Sequence, residues 1–254
     1  MIEINHALRA RKRLIEMHYR SGVGHIGGNL SIIDCLLVLF EEFDPEINEI
    51  ILSKGHSAGA LYVALWNSGY INENTLSSFH QDNTLLSGHP PINYIKEIKF
   101  GTGSLGHGLS LASGNALAMK IKEDKGHTYC VMSDGEWQEG STWEALIFAT
   151  HHRLKNLTIL IDNNNLQGFG TTKEIASMDP LTEKLNGFDV KLIEIDGHDH
   201  QKIRSAAAYR CNKPIIVCMN TIKGKGVSFM ENKMEWHYLP LNEKLFLKAI
   251  NELK

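Results

Sequence analysis

A chain of 254 residues, 43% hydrophobic and 22% charged, has enough apolar content for one large core. Its net charge of −3 provides no broad field to attract nucleic acid or an anionic membrane, so any anion must be caught by local groups. Cys35, Cys130, Cys211 and Cys218 make no CxxC pair, no stretch approaches membrane-spanning length, and the amphipathic N-terminus lacks an apolar signal core; a reducing, cytoplasmic setting without disulfides or zinc is expected.

Apolar residues at helical spacing over 3–20 (Ile4, Leu8, Leu14, Ile15) predict a first helix that rests on the domain. The glycine-rich SGVGHIGGNLS then sets His25 in a turn. A second helix is expected to start near Ser31, with Ser31 and Asp34 as a capping pair, and to run to Phe43. The apolar run 49–53 reads as the first parallel strand, ending at Lys54-Gly55-His56, and a helix follows to Gly69. Residues 83–99 have weak periodicity and contain SGHPP, which predicts a surface loop presenting His89. GTGSLG at 101–106 has the letters of a dinucleotide fingerprint. A charged, short segment precedes it, and Glu123 and Asp124 lie before the next strand, so nicotinamide binding is not expected. The helix predicted over 106–122 carries Ser110, Ala112, Ser113, Gly114 and Ala116, small residues suited to close packing beneath that loop.

The chain is organised around 130–167. HTYCVMS (127–133) and LTILID (157–162) read as buried strands with a helix over 139–152 between them. One right-handed crossover then puts Asp134 and Asn164 at the carboxyl ends of two strands, the edge where open α/β sheets bind ligands. Asp134 and the side chain or backbone of Asn164 to Leu166 offer hard oxygens, and Gly135 lets the main chain approach closely. Mg²⁺ holding a phosphorylated cofactor requires such a set. Glu139 reads either as a first-turn acid favoured by the helix dipole or as a carboxylate facing a partner.

A short helix near 179–186, a strand at 189–196, a helix at 199–210 and a strand at 213–220 continue the alternation. The polar, glycine-broken tail 221–240 is expected to be a loop able to fold over the site, with Lys223 and Lys225 meeting phosphate or solvent. A helix over 242–253 closes the chain. The expected architecture is one α/β domain over 1–254, doubly wound, with a mainly parallel sheet and helices on both faces. Among the histidines, His6, His18, His80, His127, His151 and His152 read as surface or satisfied core residues. His25, His56, His89, His107 and His237, in loops, are the candidates for proton transfer or phosphate contact.

SDGEWQEGSTWEA, followed about thirty residues after Asp134 by IDNNN, resembles the thiamine diphosphate motif in its transketolase form. With SGVGHIGGNLS, ILSKGHSAGALY, LSGHP, GTGSLGHGLS, LIDNNNLQG and TIKGKGVSFMENKMEWH in order, the chain over residues 9–237 resembles the N-terminal, diphosphate-binding half of a transketolase split over two polypeptides. The resemblance implies the thiamine diphosphate-binding fold, with Mg²⁺ held by Asp134, Asn164 and the Leu166 carbonyl. It further implies cofactor contacts from His56, Gly135 and the Gly103-Ser104-Leu105 turn, a sugar channel lined by His25, His89 and His237, and Glu139 at a subunit contact.

The activity so implied is transfer of a two-carbon ketol unit from a ketose to an aldose, as sugars or sugar phosphates. The partner so implied is a C-terminal subunit with the pyrimidine-binding domain and its activating glutamate, in a heterotetramer, and this chain alone is expected to be inactive. Three positions depart from the family pattern: Ile26 where proline is usual, His107 where glutamine is common, and Tyr238 where glycine often follows the histidine. The last two leave the substrate open. The alternatives are a subunit of another thiamine enzyme, such as a 2-oxo acid dehydrogenase or deoxyxylulose phosphate synthase, and a non-catalytic subunit that keeps the fold.

Overall fold

The computed structural model describes residues 2–92 and 94–254; Asn93, within the predicted 83–99 loop, and the side chains of residues 2–5, Ile4 among them, lie outside what is described. Five strands form one parallel sheet: β1 (Glu49–Leu52), β2 (Thr128–Ser133), β3 (Leu157–Asn163), β4 (Lys191–Asp196) and β5 (Ile215–Asn220), in the order β1-β2-β3-β5-β4. The larger helices are α1 (Ile2–Ser21), α2 (Ile26–Glu42) and α3 (Ala58–Asn67), and, after the five-residue α4 (Glu73–Ser77), α5 (Gly108–Ile121) and α6 (Gly140–His151). Two more five-residue turns, α7 (Thr172–Ala176) and α8 (Leu181–Leu185), precede α9 (His200–Ala208) and α10 (Glu243–Glu252).

Successive strand residues point to opposite faces, and here both faces are covered. Ile50, Leu52, Tyr129, Val131, Leu160, Val217 and Met219 join the core made with α1, α2, α3 and α9. Ile51, Cys130, Met132, Ile159, Ile161 and Ile216 join a second core with α5 and α6. The reason lies in the winding. The chain moves one way across the sheet from β2 to β3 and back from β4 to β5, and a crossover of fixed hand that reverses direction sets its helix on the other face. Thus α6 and α9 lie on opposite sides, as double winding requires.

Some elements depart from expectation. α2 begins at Ile26, a turn earlier than expected, and Ser31 and Asp34 sit inside it, buried. They do not cap the helix. Ser31 Oγ donates to the Gly28 carbonyl at 3.0 Å and to Asp162 at 2.6 Å, while Asp34 accepts from Arg11, from His198 Nδ1 at 2.8 Å and from His200 Nε2 at 2.9 Å. A helix enclosed on nearly every side offers its polar residues tertiary partners, and burial of Ile26 and Leu30 adds the first turn.

The 83–99 loop is not wholly superficial, because Leu86, Ile95 and Ile98 are buried in the larger core. On α5, Ala112, Ser113 and Ala116 pack inward, but Ser110 and Gly114 are exposed. The unexpected turns α4 and α7 are held by their caps, Asn72 accepting from Thr75 N and Thr171 from Glu174 N; they are too short for an apolar period to show. Among the described residues, no helix is long and apolar enough to cross a membrane.

His127 illustrates how burial sets a titration. The residue is 4% exposed, its ring shares a 2.8 Å hydrogen bond with Thr158, and its pKa is pushed down to about 3 by burial and the nearby Arg210 charge. The folded chain therefore keeps this imidazole neutral, whereas the unfolded chain protonates it below about 6.5. Stability over a His127→Gln variant is expected in full above about pH 6.5 and falls by about 2 kcal/mol by about pH 5. Urea midpoints at the two pH values check this; an unchanged difference would contradict it.

Candidate active site

Strand register gathers the chemistry at one edge. Ser133 pairs with Asp162 and Asn163 with Asn220, so β1, β2, β3 and β5 release Ser53-Lys54, Asp134, Asn164 and Thr221-Ile222-Lys223 side by side. Beyond them lies a cavity of about 480 Å³. Its walls include Asp134, Gly135, Asn164 and the Leu166 segment, the histidines His25, His56, His89 and His237, and the lysines Lys54 and Lys223.

The two turns predicted to hold a cation are tied to each other. Asp134 accepts from its neighbour Gly135 N at 2.8 Å and from Asn165 N at 2.6 Å, and Asn164 Oδ1 accepts from Leu166 N at 3.1 Å. Asn165 takes a left-handed conformation (φ 62°), which turns the chain so that Asn164 and Leu166 both border the cavity. Burial, helped by the Asp162 charge, pushes the Asp134 carboxyl up to about 7. A buried carboxylate so disfavoured suits a compensating cation. One carboxylate, one amide oxygen and one carbonyl match a hard divalent ion that takes its remaining oxygens from phosphate and water. Among the described residues no group of three His, Cys, Asp or Glu side chains is placed to hold a metal ion, so the oxygens named here include an amide and a backbone carbonyl.

The histidines converge from four separate loops. The His25 ring centre lies 5.1 Å from that of His237, 5.6 Å from His56 and 6.5 Å from His89, and His56 and His237 are 5.3 Å apart. His25 holds a left-handed φ of 65° just before α2, stabilised by its N–H to the His237 carbonyl at 3.0 Å. Burial lowers the pKa of His25 and, strongly, of His56; His237 falls to about 3 through burial and the adjacent Lys223. Lys223 Nζ approaches His237 Nδ1 at 3.0 Å, so the neutral ring accepts there and carries its proton on Nε2. Neutral imidazoles can both donate to and accept from sugar hydroxyls near neutral pH.

Several groups beneath this wall are not among the residues that the sequence singles out as candidates. Asp162, fully buried, accepts from Lys54, Ser31 and Thr221, joining β1, α2, β3 and the end of β5. Asn29 donates from Nδ2 to the carbonyls of His25 at 2.8 Å and His56 at 3.4 Å, and so links two histidine loops. Glu136 accepts from Ser53 Oγ, Gly106 N at 3.0 Å and Ser133 N at 2.8 Å, which fixes the Gly103-Ser104-Leu105 turn against the end of β2. Lys223, 2% exposed, is pushed down to about 8 by burial. Position within SDGE points toward Glu136, and the predicted tail loop toward Lys223. Asp162 and Asn29 lie within IDNNN and SGVGHIGGNLS, but nothing in those stretches names the distant partners that they tie together.

Gly103 and Leu105 border the cavity, but Ser104 and His107 line an adjoining hollow with Thr102 and Ser141. Glu139 is exposed at the cavity rim, next to α6. Lys225 turns away toward Glu231 at 3.9 Å.

The chain is similar to known proteins. Residues 7–252 match the family described as "Transketolase, thiamine diphosphate binding domain". The chain is 38% identical over 266 residues to 6-deoxy-6-sulfo-D-fructose transketolase subunit SqwG of Clostridium sp., covering 100% of this chain and 97% of that one. It is 35% identical to an apulose-4-phosphate transketolase subunit of Phocaeicola vulgatus, over 96% of this chain and 90% of that one. The crystal structure of Campylobacter jejuni transketolase superposes with a TM-score of 0.89 at 25% identity; it is matched over 100% of this chain, which spans 43% of its length.

Proposed function

The chain belongs to the transketolase family, and from that premise we propose that it is the cofactor-binding subunit of a two-chain transketolase that moves a two-carbon ketol unit from a ketose to an aldose. The observation that carries this reading is the meeting of four histidines and the Asp134–Asn164–Leu166 oxygens in one cavity. Asp134, Asn164 and the Leu166 carbonyl would hold Mg²⁺ on the diphosphate of thiamine diphosphate, with Gly135, His56 and the Gly103-Ser104-Leu105 turn beside the cofactor. When bound, the cofactor supplies the nucleophilic carbon that takes up and passes on the two-carbon unit.

The chain's own residues would bind and orient the sugar. His237 Nε2–H donates to a substrate oxygen, with its ring oriented by Lys223. His25 and His89 border the same space and would orient hydroxyls and move protons as the carbon–carbon bond breaks and forms. Lys223 adds positive charge at a site that receives a diphosphate, whereas the charge of Lys54 is already paired with Asp162. The 254 residues would act as one diphosphate-binding unit. Because relatives are named as subunits, a companion chain with the pyrimidine-binding domain is the expected partner, in a heterotetramer, with Glu139 at the contact. The four free thiols support a reducing cytoplasmic setting.

The test is ketol transfer by the purified chain with thiamine diphosphate and Mg²⁺, alone and after mixing with a companion carrying the pyrimidine-binding domain. Transfer is expected only from the mixture. Equal rates from the chain alone would overturn the two-chain reading, and no transfer from the mixture with any ketose would overturn the activity.

A further inference from the structure

The outer part of the cavity differs in chemistry from its floor. Phe169 is 78% exposed and Tyr238 is 50% exposed, and their ring centres are 6.5 Å apart; Leu105 and Ile175 complete an apolar rim. Among the described lining residues the cations are Lys54 and Lys223, which are 1% and 2% exposed and lie in the interior. The charged side chain at the rim is Glu139, so among the described residues this chain places no cation there.

Tyr238 is held in place rather than left to swing. A Cβ on Gly168 would come within 2.3 Å of the Tyr238 hydroxyl, and a Cβ on Gly24 within 2.5 Å of the Tyr238 carbonyl oxygen. Glycine at both positions lets the residue wedge between the α1–α2 turn and the loop after β3. The ring stands 4.8 Å from that of His237 and 6.4 Å from that of His25. Among the described residues no hydrogen bond reaches its hydroxyl.

From this arrangement we infer that Tyr238, with Phe169 beside it, is a specificity-determining residue that reads the carbon chain of the sugar beyond its reacting carbons. The ring packs on C–H groups and the hydroxyl bonds a sugar hydroxyl, so this subunit selects for the length and hydroxylation of the substrate and not for a terminal anion. The inference rests on the ketol-transfer reading above.

The test uses the two-chain enzyme with thiamine diphosphate and Mg²⁺, and compares wild type with Tyr238→Phe and Tyr238→Gly. The acceptors are glycolaldehyde, D-ribose and D-ribose 5-phosphate. For Tyr238→Gly, kcat/KM is expected to fall about tenfold more for the two pentoses than for glycolaldehyde, chiefly through KM. Tyr238→Phe should show a smaller loss of the same pattern, and it guards against a variant that fails to fold. Calorimetry of thiamine diphosphate binding and of partner association should change by less than about threefold.

An equal loss for all three acceptors, a change in the ratio between ribose and its phosphate, or a loosened partner with unaltered selectivity would each overturn the inference. A wild-type pair that transfers nothing would instead defeat the ketol-transfer reading on which it stands.

Discussion

Replacing Asp134 by asparagine is expected to lower Mg²⁺-dependent affinity for thiamine diphosphate by more than about a hundredfold while the chain stays folded. The amide keeps the shape and one acceptor oxygen, so one of the bonds from Gly135 N and Asn165 N is retained at the junction of β2 and β3. What disappears is the only carboxylate among the three proposed ligands. In the ion-free chain, burial already pushes that carboxyl up to about 7, so removing its charge relieves a folding cost that offsets the lost bond while it weakens the cation site. Thermal unfolding and calorimetry together separate the effects. The melting temperature without Mg²⁺ is expected to hold, and the increase produced by Mg²⁺ with thiamine diphosphate to be lost. Affinity within about threefold of wild type would remove Asp134 from the metal site.

Replacing Lys54 by methionine is expected to have the largest effect on stability, about 3–5 kcal/mol. Lys54 is 1% exposed and Asp162 is fully buried, and the two form an ion pair. Methionine fills the volume of the stem but leaves the Asp162 carboxylate with only Ser31 and Thr221 in a medium that solvates charge poorly. Asp162 lies in the middle of the parallel sheet, and its Lys54 partner also reaches the Gly28 carbonyl at 3.3 Å, so the damage spreads to the first turn of α2 beside the His25 loop. Adding Asp162→Asn should restore part of the loss, because the orphaned charge is then gone. Urea denaturation of both singles and the double variant measures the coupling. A Lys54→Met cost below about 1 kcal/mol, or no recovery in the double variant, would show that the pair is not what secures this edge.

How far apart the deciding residues lie in the chain governs what can be read from it. Strands β2, β3 and β5 are apolar on both faces, so their runs stand out whatever the surroundings; α1 and α10 likewise bear enough periodicity to be read locally. The start of α2 escapes a local reading because Ser31 and Asp34 carry the letters of a cap, whereas burial of Ile26 and Leu30 continues the helix upstream. The turns α4 and α7 escape it because five residues do not establish a period. His198, just after the Asp196-Gly197 turn, and His200, at the start of α9, donate to the Asp34 carboxylate because α9 packs against α2, a meeting that neither stretch announces.

The amino-acid order alone determined the alternation of strands and helices, the two oxygen-rich turns at 134 and 164–166, and the set of loop histidines, because these depend on residues close in the chain or on motifs with fixed spacing. Folding decided which of them share a cavity: β1 and β5 lead the His56 and His237 segments to the carboxyl edge of the sheet, and the α1–α2 turn and the 83–99 loop bring His25 and His89 to the same space. It also decided that Lys54 answers Asp162, that His107 and Ser104 face another hollow, and that Tyr238 stands at the rim. Such choices rest on the sheet order and on the scarcity of partners for buried charge, and neither is written in any local stretch.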